Sequence, residues 1–222
     1  MNDATRQELA ELCIELEERA VLALARRLLD DEEDPLAIIA ACEAGMRVVG
    51  ERYAEGEYFI SGLIMAGEIF REVLAMAQPA MERARGGEER GRVLLGTAQG
   101  DIHDIGKSIV DVALRSHGFT VHDLGVNVAP QTFAEKALEL RPDIVGISGL
   151  LTTSYDSMRE TVELLKSEVL PQYRPIPVVV GGGTMSDEVR RYIGADYAVR
   201  DALAGVHICE RIAPGHGALD PA

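Results

Sequence analysis

The chain has 222 residues, 47% of them hydrophobic, which is enough for one large domain or two small ones around a buried core. Its 37 acidic residues outnumber the 22 basic ones, and the net charge of −15 argues against binding to nucleic acid or to an anionic membrane surface. The N-terminal residues lack the pattern of a signal peptide and no apolar stretch reaches the length of a membrane span, so we expect a cytoplasmic protein with Cys13, Cys42 and Cys209 as reduced core residues.

Residues 1–85 have the pattern of a helical bundle. Apolar residues recur at helical spacing over three segments, 9–24, 38–53 and 60–77. Asp34 is placed to cap the second of these helices, with Pro35 at its first position. Pro79 indicates either a kink or the start of a fourth helix, and we predict a bundle of four helices.

The composition changes at residues 86–91, a polar, glycine-rich stretch that is typical of a linker. Beyond it, short β-branched runs (93–97, 120–124, 144–148, 178–180 and 197–199) alternate with amphipathic segments (106–117, 130–140, 155–167, 187–193 and 202–212). This alternation predicts an α/β domain with a five-stranded, parallel, doubly wound sheet over residues 92–213. Residues 214–222 are expected to form a tail.

The loops at the ends of the predicted strands collect glycines and polar side chains. The first loop contains Asp101, His103, Asp104 and Gly106, the third contains residues 148–154, and the fourth contains residues 181–184. Because parallel strands end at the same edge of a sheet, one ligand could contact all three loops.

His103 is the most informative residue in these loops. Neutral imidazole is a common metal ligand, and a nearby carboxylate such as Asp101 can fix its tautomer. The other four histidines have no zinc-type spacing with His103. If His103 binds a metal, it should be a single protein ligand, which suits a macrocycle that brings its own equatorial nitrogens.

Other readings of these motifs are less specific. The segment 100–108 differs from a nucleotide P-loop because five residues, instead of four, separate Gly100 from Gly106. Its two aspartates would also repel a phosphate. The glycine run 181–183 is compatible with a tight turn or a ligand site. Ser154 is placed to cap the following helix, and no Gly-x-Ser-x-Gly elbow indicates a serine hydrolase.

In combination, the motifs resemble a known family. The segments Asp101-Ile102-His103-Asp104-Ile105-Gly106, Ser148-Gly149-Leu150 and Gly181-Gly182 are similar to the cobalamin-binding signature Asp-x-His-x-x-Gly, Ser-x-Leu, Gly-Gly. The form His-Asp-Ile-Gly-Lys is typical of corrinoid methyl-carrier proteins and of cobalamin-dependent methionine synthase. Residues 50–60 also resemble the family's helical cap. The resemblance covers residues 35–212 and implies a flavodoxin-like, Rossmann-type cobalamin-binding domain.

The resemblance implies roles for individual residues. His103 would be the lower axial ligand of cobalt in a cobalamin or related corrinoid, and Asp101 and Ser154 would relay its proton to solvent. Further contacts to the cofactor would come from Asp104, Ile105, Gly106, Ser148, Leu150, Thr152, Gly181 and Gly182. By position, Tyr53, Ile60 and Leu63 match the family's capping side chains, although core packing within the bundle explains apolar residues there equally well. Tyr53 departs mildly from the phenylalanine often found in the family.

The resemblance also implies a function. The protein would carry a methyl group on cobalt between a substrate-specific methyltransferase and a second methyltransferase, for example to tetrahydrofolate or a thiol, so that catalysis is shared with partner subunits. A reductive activator is a further expected partner, and the 86–91 linker would be the hinge of the cap. Two alternatives stay open: a cobalamin-binding sensor without methyl transfer, and a flavodoxin-like or receiver domain with a helical extension.

Overall fold

The computed structural model describes residues 1–83, 90–169 and 175–213. The chain divides into two compact units, Met1–Ala84 and Arg85–Ala222. Across the described ranges, no helix is both long enough and apolar enough to cross a membrane.

Most of the predicted linker, 86–91, and all of the predicted tail, 214–222, lie outside the described residues. Gly91, at the end of that linker, is the first residue of a strand. The three cysteines are buried free thiols, as the sequence predicts.

The described part of the first unit contains four helices. They are α1 (Asp3–Ile14), α2 (Glu18–Asp30), α3 (Pro35–Ala54) and α4 (Ile60–Arg83). The fully buried side chains of Leu9, Val21, Ile38 and Val73, one from each helix, belong to its core. The predicted start of α3 is confirmed, because the Asp34 carboxylate accepts the N–H of Leu36 at 3.0 Å and Pro35 follows it.

The first break in the bundle differs from the prediction. The apolar spacing of residues 9–24 predicts one helix, but the chain leaves α1 near Leu16, where φ is +57°. The N–H groups of Leu16 and Glu17 donate to the carbonyls of Cys13 (3.2 Å) and Leu12 (3.0 Å). This left-handed turn closes α1 without a glycine.

The second difference concerns Pro79, which lies inside α4 and begins no further helix. A proline in a helix removes one backbone hydrogen bond and so destabilises it. Buried Val73, Ala77 and Met81 lie on both sides of Pro79, and their packing favours one continuous helix.

The described part of the second unit contains a parallel sheet, as predicted. Its five strands are β1 (Gly91–Thr97), β2 (Phe119–Asp123), β3 (Ile144–Ser148), β4 (Val178–Gly181) and β5 (Tyr197–Val199), in the order β2-β1-β3-β4-β5. Val93 pairs with Val121 on one side and with Ile144 on the other. The central strands are buried on both faces, which explains their continuous apolar sequences.

Helices follow the strands at the predicted positions. They are α5 (Ile105–Ser116), α6 (Pro130–Leu140), α7 (Tyr155–Leu164), α8 (Asp187–Ile193) and α9 (Ala202–Ile212). α7 is preceded by a 3₁₀ turn, Thr152–Ser154, and continues as a π-helical turn, Leu165–Val169. The predicted fold of this unit is therefore confirmed.

Two glycines let helix and strand side chains pack closely on the sheet. A Cβ at Gly96 would lie 2.8 Å from Cζ of Phe133, and one at Gly146 would lie 2.8 Å from Cδ1 of Leu95. Larger residues at either position would displace this packing.

Candidate functional site

The candidate site lies where β1 and β3 end side by side. β1 connects through α5 to β2 on one side of it, whereas β3 connects through α7 to β4 on the other side. In open α/β sheets, such a reversal of strand order leaves a crevice between the loops at the carboxyl ends of the strands, and ligands bind there.

Asp101 is the centre of a hydrogen-bond network between these two loops. Its carboxylate is fully buried. Oδ1 accepts the backbone N–H of His103 at 3.0 Å and pairs with ring Nδ1 of His103 at 2.6 Å. Oδ2 accepts the N–H groups of Leu150 at 2.6 Å and Leu151 at 2.9 Å. One side chain thus joins the loop after β1 to the loop after β3.

These hydrogen bonds keep Asp101 ionised. Burial alone would raise the pKa of its carboxyl group, but the bonds from Leu151, from His103 and from Leu150 outweigh this effect and lower the pKa to about 2. An ionised carboxylate can only accept, so ring Nδ1 of His103 carries the hydrogen.

His103 consequently presents its other ring nitrogen, Nε2, as a ligand. The His103 side chain is 49% exposed. The hydroxyl of Thr97 donates to the backbone carbonyl of His103 at 3.3 Å, which helps to fix the loop. A carboxylate-bound imidazole with a free lone pair is the arrangement found at metal-binding histidines.

The surroundings of His103 contain no cage for a bare metal ion. In the part of the chain that the structure describes, no three His, Cys, Asp or Glu side chains are grouped to hold a metal. Both oxygens of the neighbouring Asp101 are already engaged. A metal at Nε2 would therefore need ligands from a cofactor or from solvent.

Exposed apolar side chains occupy the same loops. Ile102, next to His103, is 72% exposed, and Leu150 and Leu151, which donate to Asp101, are also exposed, as is Val126 in the loop after β2. Exposed apolar residues grouped in this way mark a binding surface, and a broad apolar ring lying over His103 would cover them.

Among the described residues, Gly106 has no close neighbour that a side chain would displace. A Cβ there would meet no atom within 4 Å, and its φ is not in the left-handed region. Glycine in a helix lowers the stability by up to about 1 kcal/mol relative to alanine. A group bound against the start of α5 would explain why residue 106 is nevertheless a glycine. Gly182 differs, because its φ is +149° and a Cβ would lie only 2.1 Å from the carbonyl oxygen of Gly149.

The remaining predicted contacts lie along the same edge. Ser148 ends β3, opposite Gly181 at the end of β4. The Ser148 hydroxyl makes no hydrogen bond to another described residue and is available to a ligand. Thr152 is exposed in the 3₁₀ turn, whereas Asp104 and Ile105 are half-buried at the start of α5.

Ser154 is fully buried, but its hydroxyl donates to the carbonyl of Leu151 at 2.7 Å. Its connection to Asp101 therefore passes through Leu151, whose N–H donates to that carboxylate. The prediction that Ser154 caps the next helix is wrong: it stands at the N-cap of α7 but makes no side-chain cap bond, and its backbone (φ −90°, ψ −6°) is helical instead of extended as at a usual N-cap.

Four contacts near the site were not predicted from the sequence, and two of them are made by Thr184. Tyr155 donates to the Thr184 hydroxyl at 2.8 Å, and Thr184 donates to the carbonyl of Leu150 at 3.0 Å, which ties the third loop to the fourth. Buried Lys107 pairs with Asp123 at the end of β2, so it is not placed to bind phosphate as a P-loop lysine does. The fourth contact is made by Asn127 in the second loop, whose side chain accepts the N–H of Gly100.

In the first unit, the predicted capping residues lie at the end of α3 and the start of α4. Tyr53 is 40% exposed, Ile60 is 63% exposed and Leu63 is half-buried. Core packing alone therefore does not account for Tyr53 and Ile60. The turn between them is held by Tyr58, whose hydroxyl donates to the carbonyl of Ile14 at 2.8 Å and accepts from Arg52 at 3.2 Å.

Two family models match the chain. One, described as a B12 binding domain, matches residues 91–205, and a second of the same description matches residues 5–78. The first covers more than half of the chain and includes the loops around His103.

Curated proteins resemble the chain over most of its length. The dimethylamine corrinoid protein of Methanosarcina barkeri is 36% identical over 200 residues, which are 90% of this chain and 93% of that protein. The methionine synthase of Mycobacterium tuberculosis is 32% identical over 210 residues, 85% of this chain and 17% of the synthase.

Solved structures agree with these matches. The monomethylamine corrinoid protein of Methanosarcina barkeri has a TM-score of 0.86 and 26% identity, covering 96% of this chain and all of the other. A chain of the methanol:cobalamin methyltransferase complex from the same organism has a TM-score of 0.50 and 26% identity, covering 96% of this chain and 80% of that one. The exposed imidazole, apolar loops and unexplained glycine fit the cofactor that these names imply.

Proposed function

The chain belongs to the family of B12-binding corrinoid proteins, and from that premise we propose that it carries a methyl group between two methyltransferases. The observation that supports this most directly is the pair of Asp101 and His103, with Nδ1 of the imidazole bound to a buried carboxylate and Nε2 free among exposed apolar side chains. When bound, the corrinoid would supply the cobalt that takes up and releases the methyl group.

The chain's own contribution begins at the imidazole. His103 would hold the cobalt through Nε2, and Asp101 would keep the hydrogen on Nδ1 so that Nε2 retains its lone pair. The relay that the family resemblance implies would carry a proton between this imidazole and solvent through Asp101 and Ser154, with Ser154 acting on Asp101 through Leu151.

The other predicted residues would hold the rest of the cofactor. Ser148, at the end of β3, would donate its hydroxyl to a buried polar atom of the cofactor tail. Gly106 and Gly181 would let that tail approach the backbone. Asp104, Ile105, Leu150, Thr152 and Gly182 lie in the loops at this edge and would add further contacts, and Tyr53, Ile60 and Leu63 would be the capping side chains that the family resemblance implies.

Partners are inferred from the relatives. A chain of a methanol:cobalamin methyltransferase complex has this fold, which supports a substrate-specific methyltransferase as one partner. A second methyltransferase, to tetrahydrofolate or a thiol, would remove the methyl group, and a reductive activator would restore the cofactor. The hinge for partner access would be the 86–91 linker. Buried free thiols suit a reducing compartment, so we propose that the protein acts in the cytoplasm.

The proposal is tested by reconstituting the full chain with hydroxocobalamin and recording its absorption spectrum. We expect His103→Gly to lose the bands of histidine-bound cobalt and added imidazole to restore them. His207→Gly, at an exposed position on α9, is the matched control and should behave like the parent. A His103→Gly spectrum identical to that of the parent would rule out His103 as a ligand of the cobalt.

Methyl transfer requires a separate assay. Reconstituted protein should accept a labelled methyl group from a methylated amine or from methanol in the presence of the matching methyltransferase, and should pass it to a thiol with a second enzyme. A protein that binds corrinoid yet accepts no methyl group from any of these pairs would instead be the sensor considered above.

A further inference from the structure

The loop between β2 and α6 contacts the loop of His103 through Asn127. The backbone N–H of Asn127 donates to the carbonyl of Asp101 at 3.0 Å, and its side-chain Oδ1 accepts the N–H of Gly100 at 2.8 Å. One residue thus makes a hydrogen bond to each of Gly100 and Asp101, which precede His103 in the same loop.

The backbone of Asn127 favours this residue type. Its φ is +54°, in the left-handed region that most side chains avoid and that asparagine tolerates. Valine or leucine at this position would be strained, and glycine would keep the conformation but lose the acceptor.

The loop that carries Asn127 is anchored independently of it. The N–H of Val128 donates to the carbonyl of Thr97 at 2.9 Å, and the N–H of Thr97 donates to the carbonyl of Gly125 at 2.9 Å. The N–H of Gly125 in turn donates to Asp123, the carboxylate that pairs with buried Lys107. Asn127 therefore projects from a fixed support, and its exposed side chain adds little to the core.

The hydrogen bonds of Asn127 hold the backbone of the residues that position His103. Asp101 reaches His103 and the third loop through its carboxylate, and it is held by Asn127 through its carbonyl. A shift of the Gly100–Asp101 backbone would move Oδ1 and with it the imidazole, although Asn127 itself contacts neither ring nitrogen.

We propose that Asn127 is a positioning residue for His103, an inference that rests on the proposed corrinoid function. By fixing the backbone of Gly100 and Asp101, it holds the Asp101 carboxylate where it can bind Nδ1, and so directs Nε2 toward the cofactor. Its loss should weaken the axial bond without unfolding the protein.

Three variants separate the possibilities. Asn127→Gly removes the side-chain acceptor and keeps the backbone conformation, whereas Asn127→Asp keeps both. Asn2→Gly is the matched control, because the Asn2 side chain accepts a backbone N–H, from Thr5 at 2.9 Å, at the start of α1 in the other unit.

The first readout uses the protein without cofactor. Nitrogen-15 NMR at about pH 8, above the ordinary pKa of histidine, reports the tautomer of His103. We expect a fixed Nδ1–H tautomer in the parent, Asn127→Asp and Asn2→Gly, and in Asn127→Gly a shift toward the mixture of an unrestrained imidazole.

The second readout is hydroxocobalamin binding to the full chain. We expect about tenfold weaker binding for Asn127→Gly, at the lower end of the range for partners that orient a metal ligand, with reduced histidine-bound bands. Asn127→Asp should restore both.

The results are decisive in either direction. Unchanged tautomer and affinity in Asn127→Gly, or equal losses in Asn2→Gly, would overturn the positioning role. If the parent itself fails to bind hydroxocobalamin, the proposed function fails, while the tautomer measurement still decides whether Asn127 positions His103.

Discussion

At the scale of single residues, the buried carboxylate of Asp101 determines how the site responds to pH. Four N–H groups surround it, so its ionised form is favoured in the folded protein and its pKa falls to about 2. The ordinary pKa of aspartate is about 3.9. The carboxylate therefore stabilises the fold above pH 4, and this stabilisation is lost as the pH falls through about 2.

Asp101→Asn should lower the free energy of unfolding by about 2 kcal/mol near neutral pH, since it removes that charge from its donors. The difference from the parent should shrink as the pH falls from 5 toward 2. Urea unfolding at a series of pH values measures this, with Asp187→Asn at an exposed carboxylate as control. A difference that does not change with pH would contradict the assignment.

Gly106→Ala tests whether a ligand requires that glycine. The substitution meets no atom within 4 Å and improves helix propensity, so the cofactor-free protein should become more stable by up to about 1 kcal/mol. Hydroxocobalamin binding should nevertheless weaken at least tenfold, an expected cost of about 1.4 kcal/mol for a methyl group in the path of the cofactor.

The control for Gly106→Ala is Gly205→Ala in α9, where a Cβ would make ordinary contacts with Val199 at 3.5 Å and Val110 at 4.0 Å. This variant should change stability without changing affinity. Equal affinities for Gly106→Ala and the parent would show that the cofactor does not approach the start of α5.

At the scale of elements, the sequence patterns did not predict how the first two helices end. α1 and α2 both close with left-handed residues that are not glycine, Leu16 and Glu32, each with φ of +57°. At the end of α2, the N–H groups of Glu32 and Glu33 donate to the carbonyls of Leu29 at 3.2 Å and Leu28 at 3.0 Å. This is the Schellman pattern, which glycine usually completes.

Glu32→Gly should therefore stabilise the first unit by about 1 kcal/mol, because glycine adopts the left-handed conformation without strain. Removing the charge at a helix C-terminus contributes separately. Glu32→Gln isolates that charge effect and should give the smaller gain in a thermal unfolding experiment. Equal gains from the two variants would mean that backbone strain at this position is negligible.

The strands and helices of the second unit could be predicted because each has its own signal, a β-branched run or an amphipathic segment. The pair of Asp101 and His103 could also be predicted from the sequence, since both residues lie within one loop. The role of Asn127 could not be predicted, because its bonds to Gly100 and Asp101 span 27 and 26 positions of the chain and depend on how two loops meet. The bond of Ser154 to Leu151 was missed because a hydroxyl before a helix usually caps it.

At the scale of the whole molecule, each unit presents apolar side chains to solvent. In the second unit they include Ile102, Leu150 and Leu151 in the loops around His103, and in the first they include Phe59, which is 82% exposed, and Ile60. Exposed apolar side chains contribute little to the stability of the fold. Their expected role is therefore in contacts with a bound ligand or partner. The family's cap gives Ile60 a specific expected role against the corrinoid.

Ile60→Ser tests that role in the full chain. Because Ile60 is largely exposed, the stability of the cofactor-free protein should change by less than about 0.5 kcal/mol. Burying an isoleucine side chain fully contributes about 1.5 to 3 kcal/mol, so losing half of such a contact should speed dissociation of hydroxocobalamin about fivefold.

Phe59→Ser, at the adjacent and more exposed residue, is the matched control, because the family pattern assigns it no contact. Equal dissociation rates for Ile60→Ser and the parent would remove Ile60 from the site, whereas a faster rate in both variants would point to a general apolar surface, since only a specific contact distinguishes neighbouring side chains.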